Sequence, residues 1–96
     1  MAGFRVVHAP GHTPGHVIFF RQGDRVAIAG DVLANINFVT LKPGLLEPPR
    51  YFSADAAENR RSICKLADLK PRIVCFGHGP ALRNPETLDK FARRYR

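Results

Sequence analysis

The sequence has no apolar run that approaches the ~20 residues of a membrane-spanning helix. Its first residues, MAGFRVVHAPG, lack the charged, apolar and small-residue zones of a secretory leader, so a soluble, cytosolic protein is expected. Cysteine is scarce: Cys64 and Cys75 have no CxxC partner, which favours small buried hydrophobes over a disulfide or a reactive thiol. Acidic residues are also few, with 8 Asp and Glu against 15 Lys and Arg for a net charge of +7. The positive charges gather late, at Arg60, Arg61 and Lys65 and again at Lys90, Arg93, Arg94 and Arg96. No aromatic residues are interleaved with them as stacking platforms, so a solvated helix face is favoured over a nucleic-acid surface. Internal repeats and low-complexity segments are absent.

What is present suits one globular domain over residues 1–96. A composition of 45% hydrophobic and 24% charged residues lies near the globular average, and a chain of this size buries roughly 60–65% of its unfolded surface. Phe4 to Ala9 (FRVVHA) reads as a short strand stopped by Pro10 and Gly11. His16 to Arg21 and Arg25 to Ala29 read as a hairpin whose turn, over Gln22, Gly23 and Asp24, draws a positive φ from the glycine. From Val32 to Tyr51 no period holds, and Pro43, Gly44, Pro48 and Pro49 mark a long loop. Its apolar and amide side chains suit a substrate pocket and a pin to the core equally well.

Ser53 is the expected N-cap of a helix from about Ala54 to Leu69, with Ala56, Ile63, Leu66 and Ala67 as its apolar stripe. Arg72 to Phe76 (RIVCF) is a strand leading into Gly77-His78-Gly79-Pro80, and Asn84-Pro85 opens a last helix that buries Leu88, Phe91, Ala92 and Tyr95. The order predicts an α/β fold: one sheet with helices on one face. HVIFF, apolar on both sides, then leaves the other face in need of a cover.

Three residues carry the chemistry. His12, Asp31 and His78 each lie just beyond the end of an apolar strand, where open α/β sheets place their ligand sites. Imidazole and carboxylate suit Zn²⁺, Fe or Mn, and three protein ligands with an open water position form a catalytic zinc site. Gly11, Gly15, Gly30, Gly77 and Gly79 are expected to let the backbone turn and to keep bulk from these side chains. His16, which opens a strand, suits a hydrogen bond that orients a ligand or its loop. His8 and Asp24 are expected to be structural.

The runs APGHTPGHVIFF, AIAGDVL and VCFGHGP, in this order, resemble the C-terminal half of the metallo-β-lactamase superfamily, including its glyoxalase-II-like hydrolases. The resemblance implies half of an αββα sandwich, one mainly antiparallel sheet with two helices on one face. It implies that His12 binds a first metal, that Asp31 bridges two metals and that His78 binds the second, with a metal-bound hydroxide attacking an ester, thioester or related bond. The family's H-x-H-x-D-H motif has no counterpart here. The expectation is therefore a metal-dependent hydrolase half that is weak or inactive alone, with partial or no Zn (or Fe or Mn). Its open sheet face would be covered by a second copy or by the absent N-terminal half, and its substrate would be a small molecule. The alternative is a non-catalytic basic module that docks on a partner chain or nucleic acid.

Overall fold

A computed structural model describes residues 3–11, 15–36, 42–47 and 55–95. Its elements follow the periodicity of the chain. Strands β1 (Phe4–His8), β2 (Val17–Arg21) and β3 (Val26–Gly30) are followed by helix α1 (Ala56–Asp68), strand β4 (Ile73–Phe76) and helix α2 (Pro85–Ala92), with a 3₁₀ turn over Arg93–Tyr95. They form a four-stranded sheet in the order β1-β2-β3-β4. The first two pairings are antiparallel and β3 pairs with β4 in parallel. Thus β1, β3 and β4 share one direction, and their C-terminal ends open on one edge of the sheet. No helix among the described residues is long and apolar enough to cross a membrane.

Alternation along the strands decides which face is covered. Ile18 and Phe20 on β2 and Ala27 and Ala29 on β3 are buried, and they share the core with Val74, with Ile63, Leu66 and Ala67 of α1, and with Leu88, Phe91 and Ala92 of α2. Each large apolar side chain so buried contributes about 1.5–3 kcal/mol. Directly opposed residues Val6, Phe19, Ile28 and Cys75 line up across the four strands on the other face. Phe19 and Ile28 are half-buried there, and Val6 at the edge is 62% exposed. Both helices therefore cover one face, as the sequence predicts.

Helix ends obey their caps. Asn84 accepts from the Glu86 amide at 3.0 Å and Pro85 opens α2. For α1 the cap is Asp55, whose carboxylate accepts from the Glu58 amide at 3.0 Å, so the helix begins two residues later than Ser53 capping requires. The Asp55 amide donates to the Gly11 carbonyl at 2.8 Å, and this tertiary bond brings Asp55 into the capping place. Ser53 itself lies outside the described residues. Buried polar Asn59 and Ser62 join the α1 stripe, while Ala56 is only half-buried.

The hairpin turn also departs from expectation. The left-handed residue is Arg25, at φ 58°, and not Gly23. A side chain in that conformation costs about 1–2 kcal/mol. Arg25 offsets the cost by donating to the Lys70 carbonyl at 2.7 Å and the Leu69 carbonyl at 3.3 Å, the open acceptors at the end of α1. Beside it, Arg21 grips Asp24 through two bonds of 2.9 and 2.7 Å. That hydrogen-bonded guanidinium holds the Asp24 carboxyl below its ordinary range, and the Arg21 value is raised in return. The two cysteines form no disulfide and are half-buried, more open than the core positions expected of them.

Candidate metal centre

The open edge of the sheet gathers the chemistry because parallel strands deliver their ends side by side. Gly30 closes β3 with φ 61°, and the chain turns at once into Asp31. On the neighbouring strand, Phe76 closes β4 and the Gly77 amide donates to the Gly30 carbonyl at 3.0 Å, extending the ladder by one rung. His78 follows. Its Nδ1 lies 3.2 Å from Asp31 Oδ1, with both side chains open to solvent. A Cβ on Gly77 would fall 2.5 Å from that same Asp31 oxygen, so position 77 leaves room for the carboxylate, which a larger side chain would force to shift.

His16 lies on the same edge, just before β2, and donates from Nε2 to the Ala29 carbonyl at 2.9 Å. Its ring thus packs against the last turn of β3, two residues before Asp31. His8 ends β1, and its carbonyl accepts from Lys65 at 2.7 Å. Asp24 is at the opposite end of the hairpin, paired with Arg21. His12 lies outside the described residues, which on this side end at Gly11. There Ala9 is fully buried, its amide donates to the His16 carbonyl at 2.8 Å, and Ser62 donates to the Pro10 carbonyl at 2.7 Å. Position 15 carries no such constraint: a Cβ there would meet nothing, so the expected need for glycine is absent.

Three polar residues hold this edge together, and of these the sequence singled out only Asn35, as one of the loop side chains that suit a pocket or a pin. Asn59, 1% exposed, donates from Nδ2 to the Val32 carbonyl at 2.9 Å, and its Oδ1 has no donor among the described residues. Ser62 is the anchor for Pro10, and Asn35, 5% exposed, donates to the Pro80 carbonyl at 2.9 Å. For Asn59 and Ser62 a signal exists, since both interrupt the apolar stripe that continues through Ile63, Leu66 and Ala67. For Asn35 the choice between pocket and pin stayed open, because nothing local separates a buried loop amide from a solvated one.

The donor chemistry fits one side of a metal centre. A carboxylate and an imidazole approach each other at the ends of adjacent strands, on ground that Gly77 keeps clear. The described residues do not enclose an ion by themselves, because no cluster of three or more His, Cys, Asp or Glu occurs among them. The long loop folds back beside the site through a two-way bridge between Ala34 and Leu46, at 2.9 Å each way, and Leu45 packs on the core. That segment is a pin to the core. Asn37, Phe38, Leu41, Tyr51 and Phe52 lie outside the described residues.

The family model described as the metallo-beta-lactamase superfamily matches residues 1–78. The probable metallo-hydrolase YybB of Bacillus subtilis (strain 168) is 39% identical over 88 residues, covering 91% of this chain and 38% of its own length. A hydroxyacylglutathione hydrolase of Fuscovulum blasticum is 36% identical over 74 residues, covering 76% of this chain and 25% of its own. Among solved structures, TTHA1623 in a di-iron-bound form superposes with a TM-score of 0.61 at 34% identity, covering 97% of this chain and 41% of that one. The chain thus spans well under half the length of the relatives it matches.

Proposed function

The chain belongs to the metallo-β-lactamase superfamily, and from that premise we propose that it contributes Asp31 and His78, together with His12, to the metal centre of a hydrolase acting on an ester or thioester. One observation carries the reading: the 3.2 Å approach of Asp31 and His78 across the ends of two adjacent parallel strands. Zinc or iron is the metal this donor set suits, since imidazole and carboxylate serve both and a similar chain is known in a di-iron form. When bound, the metal supplies a water acidified to near neutral pH and polarises the scissile carbonyl. The protein's own part is positional. Asp31 offers two carboxylate oxygens on a short, buried-backed turn, His78 offers a ring nitrogen, and His16 keeps the end of β3 in place through Ala29.

Hydrolysis by these 96 residues alone is expected to be weak, because the sequence has no H-x-H-x-D-H to complete the donor set. The apolar row Val6, Phe19, Ile28 and Cys75 supports a further part of the reading, that a second sheet layer covers this face in the working protein. A dilution series followed by light scattering tests whether a second copy fills that role: a monomer at all concentrations excludes it.

The test of the centre is elemental analysis after dialysis against a weak chelator. Retained zinc or iron that disappears in the His12→Ala, His78→Ala double variant supports the reading, and metal content unaffected by that change overturns it. The competing reading, a basic module docking through its helices, loses some ground because three of the late arginines are engaged within the fold. Arg60 grips Glu47 at 3.0 and 2.9 Å and lies over the Tyr95 ring, Arg61 pairs with Glu58, and Arg94 lies over Phe91.

A further inference from the structure

We propose that Asn35 is the positioning residue of the centre, holding the His78 loop against the Asp31 turn from the protein interior. The inference rests on the metal-binding reading only for its effect on metal affinity. Asn35 meets the loop at three places. Its backbone amide donates to the His78 carbonyl at 3.1 Å, and its side-chain Nδ2 donates to the Pro80 carbonyl at 2.9 Å. Its own carbonyl lies so close to Gly79 that a Cβ there would overlap it. The loop from Gly77 to Pro80 is therefore draped over one buried amide.

Asn35 itself cannot drift. The turn that carries it has Val32 and Leu33 fully in the core, with the Val32 carbonyl held by Asn59. On the far side Ala34 is bridged to Leu46. The loop, by contrast, is exposed at every residue from 77 to 80. Its ends are tied by the Gly77 amide to Gly30 and by the two-way bridge between Val74 and Leu82. Between those ties, Asn35 holds the main chain of the loop through the His78 and Pro80 carbonyls, while the His78 ring meets Asp31. A neutral amide suits this place, since it supplies a donor to a main-chain carbonyl without adding charge beside Asp31.

The proposal separates positioning from stability, because the Pro80 residue is exposed and its carbonyl can take a water when the donor is removed. In Asn35→Leu the turn keeps its bulk and the loop loses its side-chain tie. Two measurements on the 96-residue chain decide the matter: Zn²⁺ affinity by competition with a chromophoric chelator, and amide exchange at residue 35 followed by NMR. About tenfold weaker Zn²⁺ binding and about tenfold faster exchange at residue 35 are expected, as befits the loss of a residue that orients a ligand. Leu88→Ala serves as the control for mere destabilisation: it is expected to lower the melting temperature while leaving Zn²⁺ affinity unchanged. If Asn35→Leu does not fold, Asn35→Ala, which adds no bulk, is measured the same way. Affinity and exchange both equal to the parent's would overturn the proposal, and so would an equal loss of affinity in Leu88→Ala. A parent chain that binds no Zn²⁺, or binds it equally well as His78→Ala, refutes the metal reading instead. Exchange at residue 35 then decides the positioning role alone, with an unchanged rate counting against it.

Discussion

The two ends of β3 are built from opposite materials. At the hairpin end, charge does the holding: Arg25 closes the end of α1, and Arg21 grips Asp24, all in contact with solvent. At the other end, buried neutral amides do it, with Asn59 on Val32 and Asn35 on Pro80. Charged side chains are tolerated at the hairpin because water screens and solvates them, which also keeps their net contribution small. Near Asp31 and His78 a further charge would compete for the same donors, so uncharged amides serve better. A hydrogen bond inside the protein is also costlier to lose than one at the surface. The end that carries the candidate centre is therefore the more vulnerable to single changes.

That contrast can be broken at several points. The largest effect is expected from Asp31→Asn combined with His78→Ala, which should abolish metal retention on dialysis while leaving the melting temperature within a few degrees of the parent's. Gly77→Ala comes next. Its methyl group would meet Asp31 Oδ1, so metal affinity should fall about tenfold or more, and chelator competition would show whether it does. Retained affinity would mean that Asp31 can move aside without consequence.

Asn59→Ala leaves the Val32 carbonyl without its donor in the interior and should destabilise the fold by about 1–3 kcal/mol in urea titration. At the hairpin the effects shrink. Arg25→Ala keeps the left-handed strain and loses both carbonyl contacts, whereas Arg25→Gly loses the contacts and relieves the strain. The glycine variant should therefore be the more stable of the two by about 1 kcal/mol.

Asp24→Asn should change least. The Asp24 carboxyl is held below its ordinary value in the folded state, so its contribution is present above the ordinary carboxylate range. It is lost as pH falls through the depressed value. Parent and variant should differ slightly at neutral pH and low salt, and should converge in acid and in 1 M salt. A hairpin variant more damaging than Asn59→Ala would reverse the comparison.

Most of the fold was legible in the sequence. The hairpin of VIFFR with VAIAG and the i, i+3, i+4, i+7 spacing of Leu88, Phe91, Ala92 and Tyr95 are local in origin, and the structure follows both, although it alone decides which face of VIFFR is buried. Capping was legible where the partner is near in sequence, as at Asn84. It failed at Ser53, because the Gly11 carbonyl that secures Asp55 lies 44 residues earlier in the chain. The left-handed turn residue was misread for a similar reason: Arg25 adopts its strained conformation because the end of α1 rewards it, and nothing in GDR announces that helix.

The candidate site divides along the same line. Residue type and placement after apolar strands single out His12, Asp31 and His78, with His16 in support at the start of a strand, since imidazole and carboxylate beside glycine form a chemical pattern visible in one dimension. Which of them meet is a matter of strand direction, and direction is settled by pairing. The parallel register of β3 with β4 brings Asp31 to His78. The sequence by itself determined the elements and the donor chemistry, because each depends on neighbours within a few residues. Only the tertiary structure decided how the donors are held. Asn35, Asn59 and Ser62 act on carbonyls from 27 to 52 residues away, a distance over which a polar side chain carries no sequence mark of what it will touch.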